Sequence, residues 1–198
     1  MKRSALALAL VLPCLAAVSN IDKAKALGSP AAPIVIEVFV SYDCAHCKLL
    51  HDETMPLVVR DFVTPGKVYL VYREFPLSGQ YHQYAREAAN YAVAASRIGK
   101  YPQVTEALFK SQANWAVTGL VWQTVASVLP EPDQKKVQAL AKDPGVIAEV
   151  QREYDEGIAL GVNSTPSVFV THGSQRYPVP GTQLNYGFLK SMLDGMTR

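Results

Sequence analysis

Ile34-Val35-Ile36-Glu37-Val38-Phe39-Val40 leads, through Ser41-Tyr42-Asp43, into Cys44-Ala45-His46-Cys47, and the reading of that junction decides the fold. The first run is apolar and rich in β-branched residues, the pattern of a central strand buried on both faces of an α/β sheet. After the junction, Leu49, Leu50, Met55, Val58, Val59 and Phe62 recur at helical spacing, with Pro56 expected to kink the helix. A strand therefore feeds a helix, with two cysteines two residues apart at the joint. Such a pair can close a small disulfide loop or hold a metal. His46 and His51 stand nearby as candidate nitrogen ligands, because zinc sites take Cys and His.

Working outward, Gly28 to Pro33 is a breaker-rich lead-in, and Ile21 to Leu27 reads as a short linker or a first helix. Thr64-Pro65-Gly66 is a turn, and residues Lys67 to Phe75 form a second strand closed by Pro76. From Ser78 the character changes. Ala85, Ala88, Ala89, Ala92 and Ala95 make a small-residue stripe suited to close helix packing. Further helices are expected over Tyr101 to Gln112, Leu120 to Leu129, Asp133 to Ala141 and Gly145 to Leu160, the last ended by Gly161. Residues Ser167 to Thr171 and Gln175 to Val179 then form a hairpin around His172-Gly173-Ser174, and Leu184 to Met196 is a closing helix. The order is β-α-β, a helical block, then β-β-α.

The ends and the composition bound the function. Lys2 and Arg3 precede an apolar run from Ser4 to Val18 and small residues at Ala16-Ala17-Val18-Ser19, the layout of a secretory signal peptide over residues 1–19. The run is shorter than the roughly 20 residues of a membrane span. Retention as an anchor is the alternative, and Pro13 makes Leu12-Pro13-Cys14 a poor lipoprotein site. Without the leader, 19 basic residues become 17 against 17 acidic ones. A charge near zero gives no electrostatic case for nucleic acid or anionic lipid. Cys14 leaves as well, so Cys44 and Cys47 become the whole cysteine content. Exported proteins normally use cysteines as staples between distant segments. A pair two residues apart closes almost no loop and stabilises little, so this one is present for chemistry.

A strand, a C-x-x-C opening a helix, and a late Thr165-Pro166 before a hairpin and last helix together resemble the thioredoxin superfamily. The helical block between the halves resembles its DsbA-like branch. So do His51 to Pro56, Tyr72-Arg73-Glu74-Phe75-Pro76-Leu77, His82, Ala85, Ala88-Ala89, and Gly161 to Pro166; the likeness spans about residues 28 to 196. It implies a thioredoxin fold with an inserted all-helical domain: residues 20–79 and 146–198 as the two thioredoxin parts, 80–145 as the insertion. It also implies a protein thiol:disulfide oxidoreductase with no cofactor, whose site is Cys44 and Cys47. Ala45, His46, Thr165 and a cis Pro166 would surround the pair to tune it or touch substrate.

At a helix N-terminus the Cys44 thiolate is favoured by free N–H groups and the helix dipole, so its pKa should fall below the free value of about 8.5. His46 can add a hydrogen bond or positive charge. A stabilised reduced thiolate makes the disulfide a stronger oxidant. Cys47, one turn deeper, is the expected buried resolving partner. Two departures from the family pattern stand out. Val38 occupies the position, six before Cys44, where members often carry a buried acid; Glu37 should face the other way. Ala45 stands where proline is common. Elsewhere, Trp115 and Trp122 should pack the helical block, Arg73 and Glu74 should form a surface or half-buried pair, and His82 reads as a helix-start residue. His172 is a turn residue. The sequon Asn163-Ser164-Thr165 is read as chance, since a glycan there would block the site.

The favoured expectation is an exported, monomeric enzyme that passes its disulfide to reduced exported polypeptides and is reoxidised by a membrane quinone-linked partner. The alternatives are a reductase or isomerase of the same fold, and a non-enzymatic metal-binding or chaperone-like module.

Overall fold

The computed structural model describes residues 22–197. The leader expected at 1–19 lies outside them. Among the described residues, no helix is long and apolar enough to cross a membrane.

β2 (Ile34–Val40) forms the middle of the sheet. It pairs in parallel with β3 (Val68–Glu74) and antiparallel with β4 (Ser167–His172). β5 (Gln175–Val179) extends the β4 side, and β1 (Ala26–Leu27) caps the free edge of β3, so the order is β1-β3-β2-β4-β5. The segment read as a linker or first helix is therefore a 3-10 turn, Lys23–Lys25, followed by an edge strand. Ala26 and Leu27 find their partners in Val71 and Leu70, a contact made 45 residues away that local pattern does not carry.

Alternation divides the sheet into two faces. Ile34, Ile36, Val38 and Val40 point to one, where they share a core with Cys44, Cys47, Leu50, Met55, Val58 and Phe62. Phe39 points to the other and packs edge-on against Phe75 and Phe169. The helical run after the motif begins with α1 (Ala45–Leu49), passes through a π turn at Leu50–Thr54, continues as α2 (Met55–Val58) and ends in a second π turn, Val59–Val63. Pro56 has no N–H to give and crowds the carbonyl four residues back; the wider turn just before it accommodates both effects, so the chain stays helical.

The helical block comprises α3 (Ala85–Ser96), α4 (Tyr101–Lys110), α5 (Gln112–Thr118), α6 (Val121–Ala126) and α7 (Glu131–Leu140). The helix expected over Tyr101 to Gln112 stops at Lys110, and α5 falls on a stretch where the sequence pattern marks no element. Trp115 is fully buried in the block and donates its indole N–H to the Leu108 carbonyl (2.7 Å), and Trp122 packs against Tyr91. α8 (Pro144–Ala159), started by the Asp143 cap, returns the chain to the sheet. At Gly157 it lies so close to the Phe39 face that a β-carbon would meet the Phe75 ring at 2.7 Å. Gly161, at φ +81°, ends the turn after it. α9 (Tyr186–Met196) closes the chain, two residues later than expected because Asn185 supplies its cap.

A candidate redox site at the first strand-to-helix junction

β2 delivers Ser41, Tyr42 and Asp43 to a turn, and Cys44 follows as the N-cap of α1. Cys44 has extended backbone (φ −84°, ψ 118°) and its side chain makes no capping bond. The first N–H groups of the helix therefore remain free to face its sulfur. The loop is held from three sides. The Cys44 N–H donates to Ser41 O (3.1 Å), and the Lys48 N–H donates to Cys44 O (3.1 Å). The buried Gln112 amide, from α5 in the helical block, donates to both Tyr42 O (2.6 Å) and Cys44 O (3.0 Å). Gln112 was not among the residues singled out from sequence; its partners lie about 70 positions away, and no local signal marks it.

The two thiols are free and lie in contrasting surroundings. Cys47 is 1% exposed, and burial, followed by its hydrogen bond to Cys44, pushes its pKa well up. The Cys44 pKa is lowered to about 5. The Cys47 thiol donating to it is the largest cause. Burial opposes the shift, while the Thr165 side chain and the N–H groups of Cys47 and His46 add to it. The pair thus holds one proton at neutral pH, on Cys47. As a thiol, Cys44 donates to the Thr165 carbonyl at 3.2 Å. The Thr165–Pro166 peptide is cis, as expected.

Between His46 of the motif and the Thr165–Pro166 loop runs a groove of about 510 Å³ whose walls also include Leu49, Glu53 and Asn185. Ala45 and His46 are exposed at its edge. The six residues expected to surround the chemistry, Cys44, Ala45, His46, Cys47, Thr165 and Pro166, are thus brought together. His51 is not part of that group: it binds Glu106 (2.9 Å) and stacks on Phe109. Among the described residues, no three His, Cys, Asp or Glu side chains converge as a metal site.

Several sequence expectations need correction. Arg73 and Glu74 are both buried and do not form a pair, because neighbours in a strand face opposite ways. Arg73 lies with Glu37 (3.1 Å) and with Glu153 and Glu156 of α8 (both 3.5 Å). Glu37, which also binds Arg176, is therefore committed to the far face of the sheet and does not bulge toward the motif. Glu74 lies on the near face, level with Val40 in the parallel register. Its carboxyl accepts from Tyr42 (3.1 Å) and Tyr101 (3.3 Å), and burial raises its pKa to about 8. A buried acid thus exists on the motif's side of the sheet, carried by β3 instead of position 38. Lys25, read as part of a linker, is buried against Glu153 (2.6 Å) and Glu149 (3.2 Å). His82 is not merely a helix-start residue: its Nδ1 lies 2.7 Å from the carboxylate of Asp43, the residue before Cys44.

This geometry can be set beside known proteins. The family model described as Thioredoxin matches residues 21–182. The chain belongs to the thioredoxin family. Within it, the chain is 23% identical over 155 residues to a probable disulfide bond formation protein D of Bacillus anthracis, covering 74% of this chain and 69% of the relative. Its fold matches the crystal structure of alpha-DsbA1 from Wolbachia pipientis with a TM-score of 0.69 at 22% identity, over 87% of this chain and 89% of the other. A thioredoxin-like oxidoreductase from Silicibacter pomeroyi DSS-3 matches at 0.68 and 28% identity, over 86% and 90%. The chain is a thiol:disulfide oxidoreductase with a thioredoxin fold and a helical insertion.

Proposed function

We propose that the protein is exported and donates the Cys44–Cys47 disulfide to reduced exported polypeptides. The observation that carries this reading is Cys44 at the N-terminus of α1, with its sulfur 3.2 Å from the Thr165 carbonyl beside the cis Pro166 and Cys47 buried behind it, an arrangement that lowers its pKa to about 5. In the forward reaction a substrate thiolate attacks Cys44 Sγ, the Cys44–Cys47 bond breaks, and Cys47 leaves and takes up a proton. A second substrate thiolate then attacks the substrate sulfur of the mixed disulfide and releases Cys44. Two electrons pass from substrate to enzyme. Of the two substrate protons, one ends on Cys47 and the other in solvent, because Cys44 stays a thiolate. A low-pKa leaving group departs faster and stabilises the reduced enzyme, so both rate and equilibrium favour oxidation of the substrate.

In this reading Cys44 is the attacked sulfur and Cys47 its buried partner. His46 and Ala45 border the entry, and the Thr165 backbone beside Pro166 pairs with an extended substrate segment in the groove. The helical block at 80–145 acts as one inserted unit, and a membrane quinone-linked protein reoxidises the pair. Support for export comes from the leader-like first 19 residues.

The reduction potential, measured against glutathione, tests the direction. A value near −120 mV is expected for a disulfide donor; one near −270 mV assigns the protein to the reductases. Cys44→Ser should abolish disulfide transfer to a reduced substrate, and residual transfer at the wild-type rate would end the reading.

A further inference from the structure

The residue directly before Cys44 is an acid, which is an awkward neighbour for a thiolate. The two residues adjoin in the chain, and a carboxylate near a thiolate disfavours ionisation of the sulfur. The Asp43 side chain is also nearly shut off from water, at 2% exposure, so solvent does little to screen it.

Its two oxygens are instead met by protein donors. The Ser41 hydroxyl donates to Oδ1 (2.5 Å), and Ser41 Oγ in turn accepts from the Leu77 N–H (3.1 Å). His82 Nδ1 lies 2.7 Å from Oδ2, and against a carboxylate it must carry the proton of that bond. Leu77 and His82 both belong to the segment between β3 and α3. Each hydrogen bond spreads the carboxylate charge onto its donor, and the proton that His82 shares with Oδ2 offsets it further.

We propose that His82 is a positioning and tuning residue of the redox site: by pairing with Asp43 it offsets the one carboxylate adjoining Cys44 and thereby sets how oxidising the disulfide is. Ser41 completes the arrangement by fixing Asp43 from the other oxygen. The inference rests on the thiol–disulfide chemistry of Cys44 and not on export or on the direction of electron flow in the cell.

The test is a double-mutant cycle of His82→Ala and Asp43→Asn, read out by the Cys44 thiolate titration and by the equilibrium with glutathione. Cys44–Cys47 redox equilibration in the parent protein is the control; its failure would strike the proposed function, and the Cys44 titration alone would then decide this inference. His82→Ala should raise the Cys44 midpoint by about 0.5–1 pH unit and lower the equilibrium constant for oxidising glutathione by roughly three- to tenfold. Tenfold corresponds to about 30 mV for a two-electron couple. Asp43→Asn should move both quantities the opposite way. With Asp43→Asn already present, adding His82→Ala should change either by less than about twofold, because no carboxylate remains to be offset. Equal shifts from His82→Ala in both backgrounds would overturn the proposal. So would a lower melting temperature with an unmoved titration, which is what a purely structural bond would give. Should His82→Ala not fold, Asp43→Asn alone decides: an unchanged or raised Cys44 midpoint refutes the assignment.

Discussion

Acidifying the reduced protein should erase a stabilisation that depends on one sulfur. Cys44 has a pKa of about 5 when folded, against 9.0 for the free group. A folded-state value below the unfolded one stabilises the fold fully above the unfolded pKa and not at all below the folded one, so the window runs from about pH 9 down to about pH 5. At pH 7 the folded thiol is about 99% ionised and the unfolded one about 99% protonated. Two pH units at about 1.4 kcal/mol each set a ceiling of about 3 kcal/mol. The oxidised protein has no such group. Denaturant unfolding of both forms from pH 4 to 9 should therefore show the difference, reduced minus oxidised, growing as the pH rises. The thiolate ultraviolet absorbance of the reduced form should rise with a midpoint near pH 5. A midpoint above pH 8, or a stability difference that shrinks with rising pH, would refute the account of the site given above.

Four other expectations follow from particular contacts. Cys47→Ala removes the largest cause of the Cys44 shift and should raise its pKa by about 1–2 units, read from the pH dependence of alkylation. Oxidation of an ordinary dithiol releases one proton to solvent, so its equilibrium constant should rise about tenfold per pH unit between pH 5 and 8; a flat profile would contradict the ionised Cys44. Gln112→Leu would take the Gln112 donor from Tyr42 O and leave Cys44 O with only the Lys48 N–H, and should lower stability by about 1–3 kcal/mol in denaturant titrations, together with a shifted redox potential. Glu74 has a folded pKa of about 8, above the 4.5 of the free group, so its contribution is present below pH 4.5 and lost as the pH climbs to 8. Glu74→Gln should accordingly be more stable than the parent at pH 8, by about 1–3 kcal/mol, and equal to it at pH 4; a deficit at both pH values would overturn the assignment of a protonated carboxyl.

The parts of the site that share a stretch of chain were legible in the sequence. The apolar run to Val40, the C-x-x-C and the helical spacing after it are local, and Thr165-Pro166 is a local signature as well. What escaped is what requires distant segments to meet. The partners of Lys25 lie on α8, more than 120 residues on, and those of His82 and Gln112 lie in the motif loop; nothing near these residues in the chain marks them. One miss was avoidable. The alternation that sends Glu37 away from the motif also separates Arg73 from Glu74, and it places the missing buried acid on the correct face. The leader expected at 1–19 is a matter of sequence alone, outside the described residues.

The pair of hydrogen bonds from Gln112 bears on whether this enzyme can be miniaturised. Excising residues 80–145 and rejoining the strands would keep both cysteines, the cis-proline loop and four sheet registers. It would nevertheless strip the reactive loop of the donor that holds Tyr42 O and Cys44 O. A trimmed protein of this kind would keep the sulfurs while losing their aim. Any attempt to graft this redox centre onto a smaller thioredoxin scaffold should bring a substitute amide to that spot.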